Sequence, residues 1–178
     1  MMDAKHHNAL TLVEILIVVA IIAVLTMIVI GLTLRVENQS KAKALSNIFA
    51  LLDSALQEYR EYKGQFPVPV PVFTDAVDLD PDVVTERERQ DRAADRLRFL
   101  YTALHSVPAS REILKTIGPA WVEHDVSDPN AYVVRDPWGT VLDCRYAPGD
   151  QFPELISAGP DTKFLRPSDE DNVSSREQ

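Results

Sequence analysis

Residues 10–34 read LTLVEILIVVAIIAVLTMIVIGLTL, a long and almost wholly apolar run. From Ile15 to Leu34 it carries no charge. About 20 such residues, at ~1.5 Å each in a helix, match a hydrocarbon core of ~30 Å. Glu14 stands at the entrance of the run, where an ionised carboxylate is expensive and usually serves a purpose. The preceding residues 1–9, MMDAKHHNA, are short and polar. A secretory signal fits poorly. The apolar run exceeds a signal core, and no small-x-small site with a polar break follows it. A permanent span is the reading. Charge counting leaves its orientation open: Lys5 is offset by Asp3 before the run, and Arg35, Lys41 and Lys43 by Glu37 after it.

The helical pattern does not stop at Leu34. Leu45, Ile48, Phe49, Leu52, Leu56 and Tyr59 recur every three or four residues, which makes one apolar stripe. Lys41, Lys43, Asp53, Glu58 and Arg60 lie between them. Gly64 and then Pro67 read as the stop. One helix would therefore be apolar all round in its first half, 10–34, and amphipathic in its second, 35–64. The stripe calls for a cover, either the chain's own globular head at 65–173 or a coiled-coil partner. The chain has 178 residues, enough for a span plus one modest domain. Its net charge of −9 argues against nucleic acid as a partner. A single cysteine, Cys144, excludes an internal disulfide and reads as a small core residue.

Beyond the stop, Gln65–Pro71 is proline-dense and extended, a strap across the head. Thr85-Glu86-Arg87-Glu88 has the form of a capping box and starts a helix through Ala93, Leu97, Leu100, Tyr101 and Leu104. The mixed charges of its first turns read as a solvated face. A second short helix over 109–117 is stopped by Gly118-Pro119. His105 and His124 lack the spaced companions of a zinc site. No nucleophile elbow, phosphate loop or paired-histidine metal motif occurs, so no catalytic residues are assigned and the chain does not read as an enzyme. Asp136-Pro137-Trp138-Gly139 is a turn signal. Val141–Tyr146 alternates as a strand with Leu142, Cys144 and Tyr146 on one face, and Phe152–Ser157 follows as another. Residues 174–178 read as a disordered tail. The fold class is α+β: a long N-terminal helix against a small antiparallel sheet, with an inserted pair of helices.

Ala9-Leu10-Thr11-Leu12-Val13-Glu14 before a long apolar run resembles the N-terminal methylation motif of type IV pilins and type II secretion pseudopilins. The resemblance implies a cytoplasmic leader, 1–9, cut after Ala9 by a prepilin peptidase that methylates the new N-terminus at Leu10. Glu14 falls where that family keeps its glutamate. The implied role is to pair with the Leu10 amine of a neighbouring subunit and so set axial register in a filament. The chain differs from the common pattern in having Ala9 before the cut where glycine is usual, Leu10 where phenylalanine is commoner, and Gly31 where many relatives have proline. A second resemblance rests on DPWG at 136–139, Ser157-Ala158-Gly159-Pro160-Asp161 and the acidic loop that follows. These residues are similar to the head of the major pseudopilin of type II secretion. In that family the last loop binds calcium, which implies Asp161, Asp169 and Asp171 as ligands here, with carbonyls near Phe164 and Leu165. The partners implied are other pseudopilin subunits, the peptidase, membrane lipid and an inner-membrane assembly platform. The implied place is the bacterial inner membrane, single-pass, with the head in the periplasm. Two alternatives stay open: a single-span anchored periplasmic enzyme or binding domain, and a type IV or DNA-uptake pilin.

Overall fold

No proline falls between 12 and 63, and alanine and leucine recur throughout, both strong helix formers. In the computed structural model this stretch is one helix, α1 (Leu12–Lys63). The structure describes residues 12–69, 72, 84–124, 131–146, 149–164 and 172–176, with backbone alone at 28–36. The chain divides into two units, Met1–Ser40 and Lys41–Gln178, and α1 contributes to both. The class is α+β.

In the second unit the stripe is buried as the spacing predicts. Leu45, Ile48, Phe49, Leu52 and Leu56 form the centre of the core, with Tyr59 packed at its margin. Gly64 ends α1 with φ +78°, and its N–H donates to the Arg60 carbonyl at 2.7 Å. An L side chain is strained in that conformation, so glycine is the residue that stops the helix. The strap lies flat beyond it: Phe66, Pro67 and Pro69 are buried. The Phe66 ring meets Phe152 edge-on at 4.7 Å and Tyr146 at 5.8 Å.

The capping box is present. Thr85 Oγ1 accepts from the Glu88 N–H at 3.3 Å, and the Glu88 carboxylate accepts from the Thr85 N–H at 2.9 Å. It opens α2 (Glu86–His105), whose Leu97, Leu100 and Leu104 join the core. A second helix, α3 (Pro108–Leu114), is shorter than the 109–117 reading. Its Ser110 hydroxyl donates to the Ala55 carbonyl of α1 at 2.9 Å.

The start of α2 requires a correction. Arg89 and Arg96, read as part of a solvated face, are fully buried. They are seven residues apart, two helical turns, so they share a face with Ala93 and Leu100. That face covers the sheet, where the fully buried Asp143 meets both guanidinium groups.

Two antiparallel sheets are present. β1 (Val122–His124) pairs with β2 (Tyr132–Val134), Glu123 opposite Val133. This pair was not anticipated: three residues are too few to show alternation. The other sheet has the order β3-β4-β5, from β3 (Asp143–Arg145), β4 (Glu154–Ser157) and β5 (Val173–Ser174). Cys144 lies opposite Leu155 and both enter the α1 core. Asp143 lies opposite Ile156 on the other face, where Ile156 packs with Ala93, Ala158 and Phe164. The sheet is therefore buried on both sides.

Asp136 ties the DPWG turn to the SAGPD segment. Its Oδ1 accepts from the Trp138 and Thr140 N–H groups at 3.0 and 2.9 Å. Its Oδ2 accepts from the Ser157 hydroxyl at 2.6 Å, and Ser157 Oγ accepts from the Gly159 N–H at 3.0 Å. Burial pushes the Asp136 carboxyl up, partly offset by these bonds.

The tail also differs from the sequence reading. Ser174 lies in β5 and donates to Glu154 at 2.6 Å, and the Ser175 N–H donates to the Leu155 carbonyl at 2.9 Å. The Arg176 guanidinium donates to the Phe152 carbonyl. Residues 174–176 are ordered because they satisfy polar groups that β4 would otherwise leave unpaired.

Candidate functional site

Within the first unit, α1 is clothed in large aliphatic side chains. Every large apolar residue from 12 to 27 is at least half exposed, from 50% at Ile15 to 81% at Leu12. Twelve such side chains, spread around one helix, form an apolar sleeve. Half-burying each is worth ~1 kcal/mol, so covering the sleeve releases on the order of 10 kcal/mol. A surface of this kind marks a lipid or protein partner. Among the described residues no helix is long and apolar enough to cross a membrane. The described side chains cover 12–27 of the 10–34 segment.

Glu14 lies on this sleeve, exposed, in the first turn of α1. Ala9 and Leu10 lie outside the described residues. So do Asp169 and Asp171 of the acidic loop, and Leu165.

Asp161 is described, in a turn closed by protein groups. Its Oδ1 accepts from the Lys163 N–H at 2.8 Å, and Thr162 takes φ +62° where a glycine would be unstrained. The first turn of α2 holds the same segment. Glu86 accepts from the Phe164 N–H at 3.0 Å, and the Gln90 amide donates to the Thr162 carbonyl at 2.9 Å. The donor chemistry of an aspartate with nearby carbonyls suits a hard cation. Asp161 alone of the three carboxylates is described, and no group of three metal-ligating side chains occurs among the described residues.

The sequence reading missed the Arg89–Asp143–Arg96 cluster. Arg89 Nη2 donates to Asp143 Oδ2 at 2.5 Å, and Arg96 Nε donates to Oδ1 at 2.7 Å. Burial alone would raise the Asp143 carboxyl, but the two arginines outweigh it and hold the group below its ordinary range. The cluster fixes α2 against the sheet. Cys144 beside it is buried and its thiol is pushed far up, so it is inert as a nucleophile.

Residues 4–30 match the family model of the prokaryotic N-terminal methylation motif. The chain thus carries the signature of type IV pilins and pseudopilins, whose members are structural subunits processed by a prepilin peptidase and assembled into filaments with similar subunits. No curated protein and no solved structure matches the chain.

Proposed function

We propose that this chain is a pseudopilin: a membrane-anchored subunit that polymerises into the pilus-like filament of a type II secretion system. The observation that carries the reading is the exposed apolar sleeve at 12–27, lying within the methylation motif. Cleavage after Ala9 would leave Leu10 as a methylated N-terminus, four residues before Glu14. The sleeve is stored in the inner membrane with the head, 65–173, in the periplasm. It then exchanges lipid for the sleeves of neighbouring copies. The exchange is near neutral for apolar surface, since lipid tails and leucine are equally apolar. Register must therefore come from polar contacts. Glu14 paired with the Leu10 amine of the next subunit supplies one, because a carboxylate in an apolar bundle is costly without a partner.

The DPWG turn and the Ser157–Asp161 segment, bonded to each other through Asp136, favour secretion over adhesion or DNA uptake. Calcium at Asp161, Asp169 and Asp171 belongs to the same reading. The test is Glu14→Leu expressed with the assembly machinery. The variant should accumulate in the membrane at wild-type level and fail to form filaments. Filaments of normal yield from it would overturn the register role.

A further inference from the structure

We propose that one face of α2 is a built-in seat that holds the strained turn 159–164 in place without a cation. Glu86 and Gln90 are its positioning residues. The turn that carries Asp161 is then formed by the chain alone, and calcium is not needed for it.

The turn contains a residue that opposes its own conformation. Thr162 takes φ +62°, where a β-branched side chain is a rare outlier. Such a backbone persists only when its surroundings over-determine it. Local bonds close the turn. The Thr162 N–H donates to the Gly159 carbonyl at 3.2 Å, the Thr162 hydroxyl to the Asp161 carbonyl at 2.7 Å, and the Lys163 N–H to Asp161 Oδ1 at 2.8 Å. All of these lie within the turn, so none of them ties it to the rest of the head.

The tie comes from α2. Glu86, Arg89, Gln90 and Ala93 are spaced by three, one and three residues, so they share one helix face. Gln90 Nε2 donates to the Thr162 carbonyl at 2.9 Å and to Glu86 Oε1 at 3.1 Å. The Glu86 carboxylate accepts the Phe164 N–H, at 3.0 Å on Oε1 and 3.2 Å on Oε2. Two side chains one helical turn apart thus take the carbonyl before Lys163 and the N–H after it, as a neighbouring strand would. The other two residues of the face hold the ring that ends the turn. Phe164 is 1% exposed and packs with Ala93, Ile156 and Ala158. The Arg89 guanidinium lies over its ring, 4.8 Å from the centroid, and is itself held by Asp143.

Asn172 adds amide bonds to the Ala158 and Lys163 carbonyls, at 3.2 and 3.0 Å. Neither touches Thr162, the strained residue, whose carbonyl belongs to Gln90. A hard cation orders an acidic loop by collecting carboxylates and carbonyls at one point. In this turn the Thr162 carbonyl already has its donor, and α2 supplies the anchorage. Calcium in the proposed set would add to a turn that is already formed.

Limited trypsin digestion of the full-length chain in detergent micelles with excess EDTA tests this, with the fragments read by mass spectrometry. The bond followed is Lys163–Phe164, inside the turn. Arg166, the next basic residue, precedes Pro167, which blocks cleavage there. Glu86→Ala leaves the Thr85–Glu88 capping box intact. It should be cut after Lys163 about tenfold faster, the size of one hydrogen bond to a charged group, because cleavage tracks the open population. Gln90→Ala should also be cut faster. Arg87→Ala, at an exposed position next to Glu86 but off the seat face, should be cut at the unsubstituted rate. Cleavage after Lys115, outside the seat, reads global unfolding and should be the same in all four proteins. Equal rates after Lys163 for Glu86→Ala and the unsubstituted chain would overturn the seat. So would an equal rise after Lys115. So would fast cleavage of the unsubstituted chain in EDTA that calcium suppresses, because the cation would then be what holds the turn.

Discussion

Removing the Asp143 carboxylate should destabilise the head more than any other single polar change. Four donors converge on it: Arg89 Nη2 at 2.5 Å, Arg96 Nε at 2.7 Å, Arg96 Nη2 at 3.2 Å and the Cys144 N–H at 2.8 Å. All three charged side chains are fully buried. Asp143→Ala leaves two guanidinium groups in the interior without their shared anion, which costs ~3–5 kcal/mol. For a domain of this size that is a drop in Tm of about 10–15 °C. Replacing the whole cluster, with Arg89→Met, Arg96→Met and Asp143→Leu together, should cost little or even stabilise. Desolvation of the charges offsets most of their attraction, and removing all three removes both terms. The pH dependence follows from the lowered carboxyl. Asp143 contributes fully above its unfolded value of about 4 and loses that contribution as pH falls below it towards the folded one. Differential scanning calorimetry of the variants across pH reads all of these. A loss below ~1 kcal/mol for Asp143→Ala would refute the reasoning, because it would mean the arginines are satisfied without the carboxylate.

Other perturbations isolate single elements. Leu56→Ala, at a fully buried position of the α1 stripe, should cost ~2–5 kcal/mol by calorimetry, as a cavity in a packed core does. Thr85→Ala removes the cap of α2 and should cost ~1 kcal/mol, read in the same way. Millimolar calcium should raise Tm in the unsubstituted chain and not in Asp171→Ala. No shift in either would remove calcium from the account.

The long helix and its stop were legible because their signals are local. The stripe from Leu45 to Tyr59 follows one period, and Gly64 has a conformation that other residues avoid. The Thr85–Glu88 box was legible for the same reason. The inward turn of Arg89 and Arg96 was not, because composition cannot separate a charge facing water from one facing a buried acid. A signal existed: both arginines share the spacing of Ala93 and Leu100, and Asp143 alternates with Leu142 and Cys144 in a strand assumed to have only one covered face. The β1–β2 pair was hidden by its shortness. The order of residues 174–176 depends on acceptors in β4 and in the residue Phe152, far away in sequence. Of the candidate site, Glu14 and the sleeve are local features and were readable. Asp136 was read only as a turn residue, although its bond to Ser157 links the two motifs of the head.

In the proposed function, residues 10–34 become the processed anchor and core helix of a polymer. Intact mass and terminal sequencing of the protein purified from membranes of its native host test it most directly. The expected chain begins at Leu10 and carries one N-terminal methyl group. A chain that still begins at Met1, or one cut after Gly31, would contradict it.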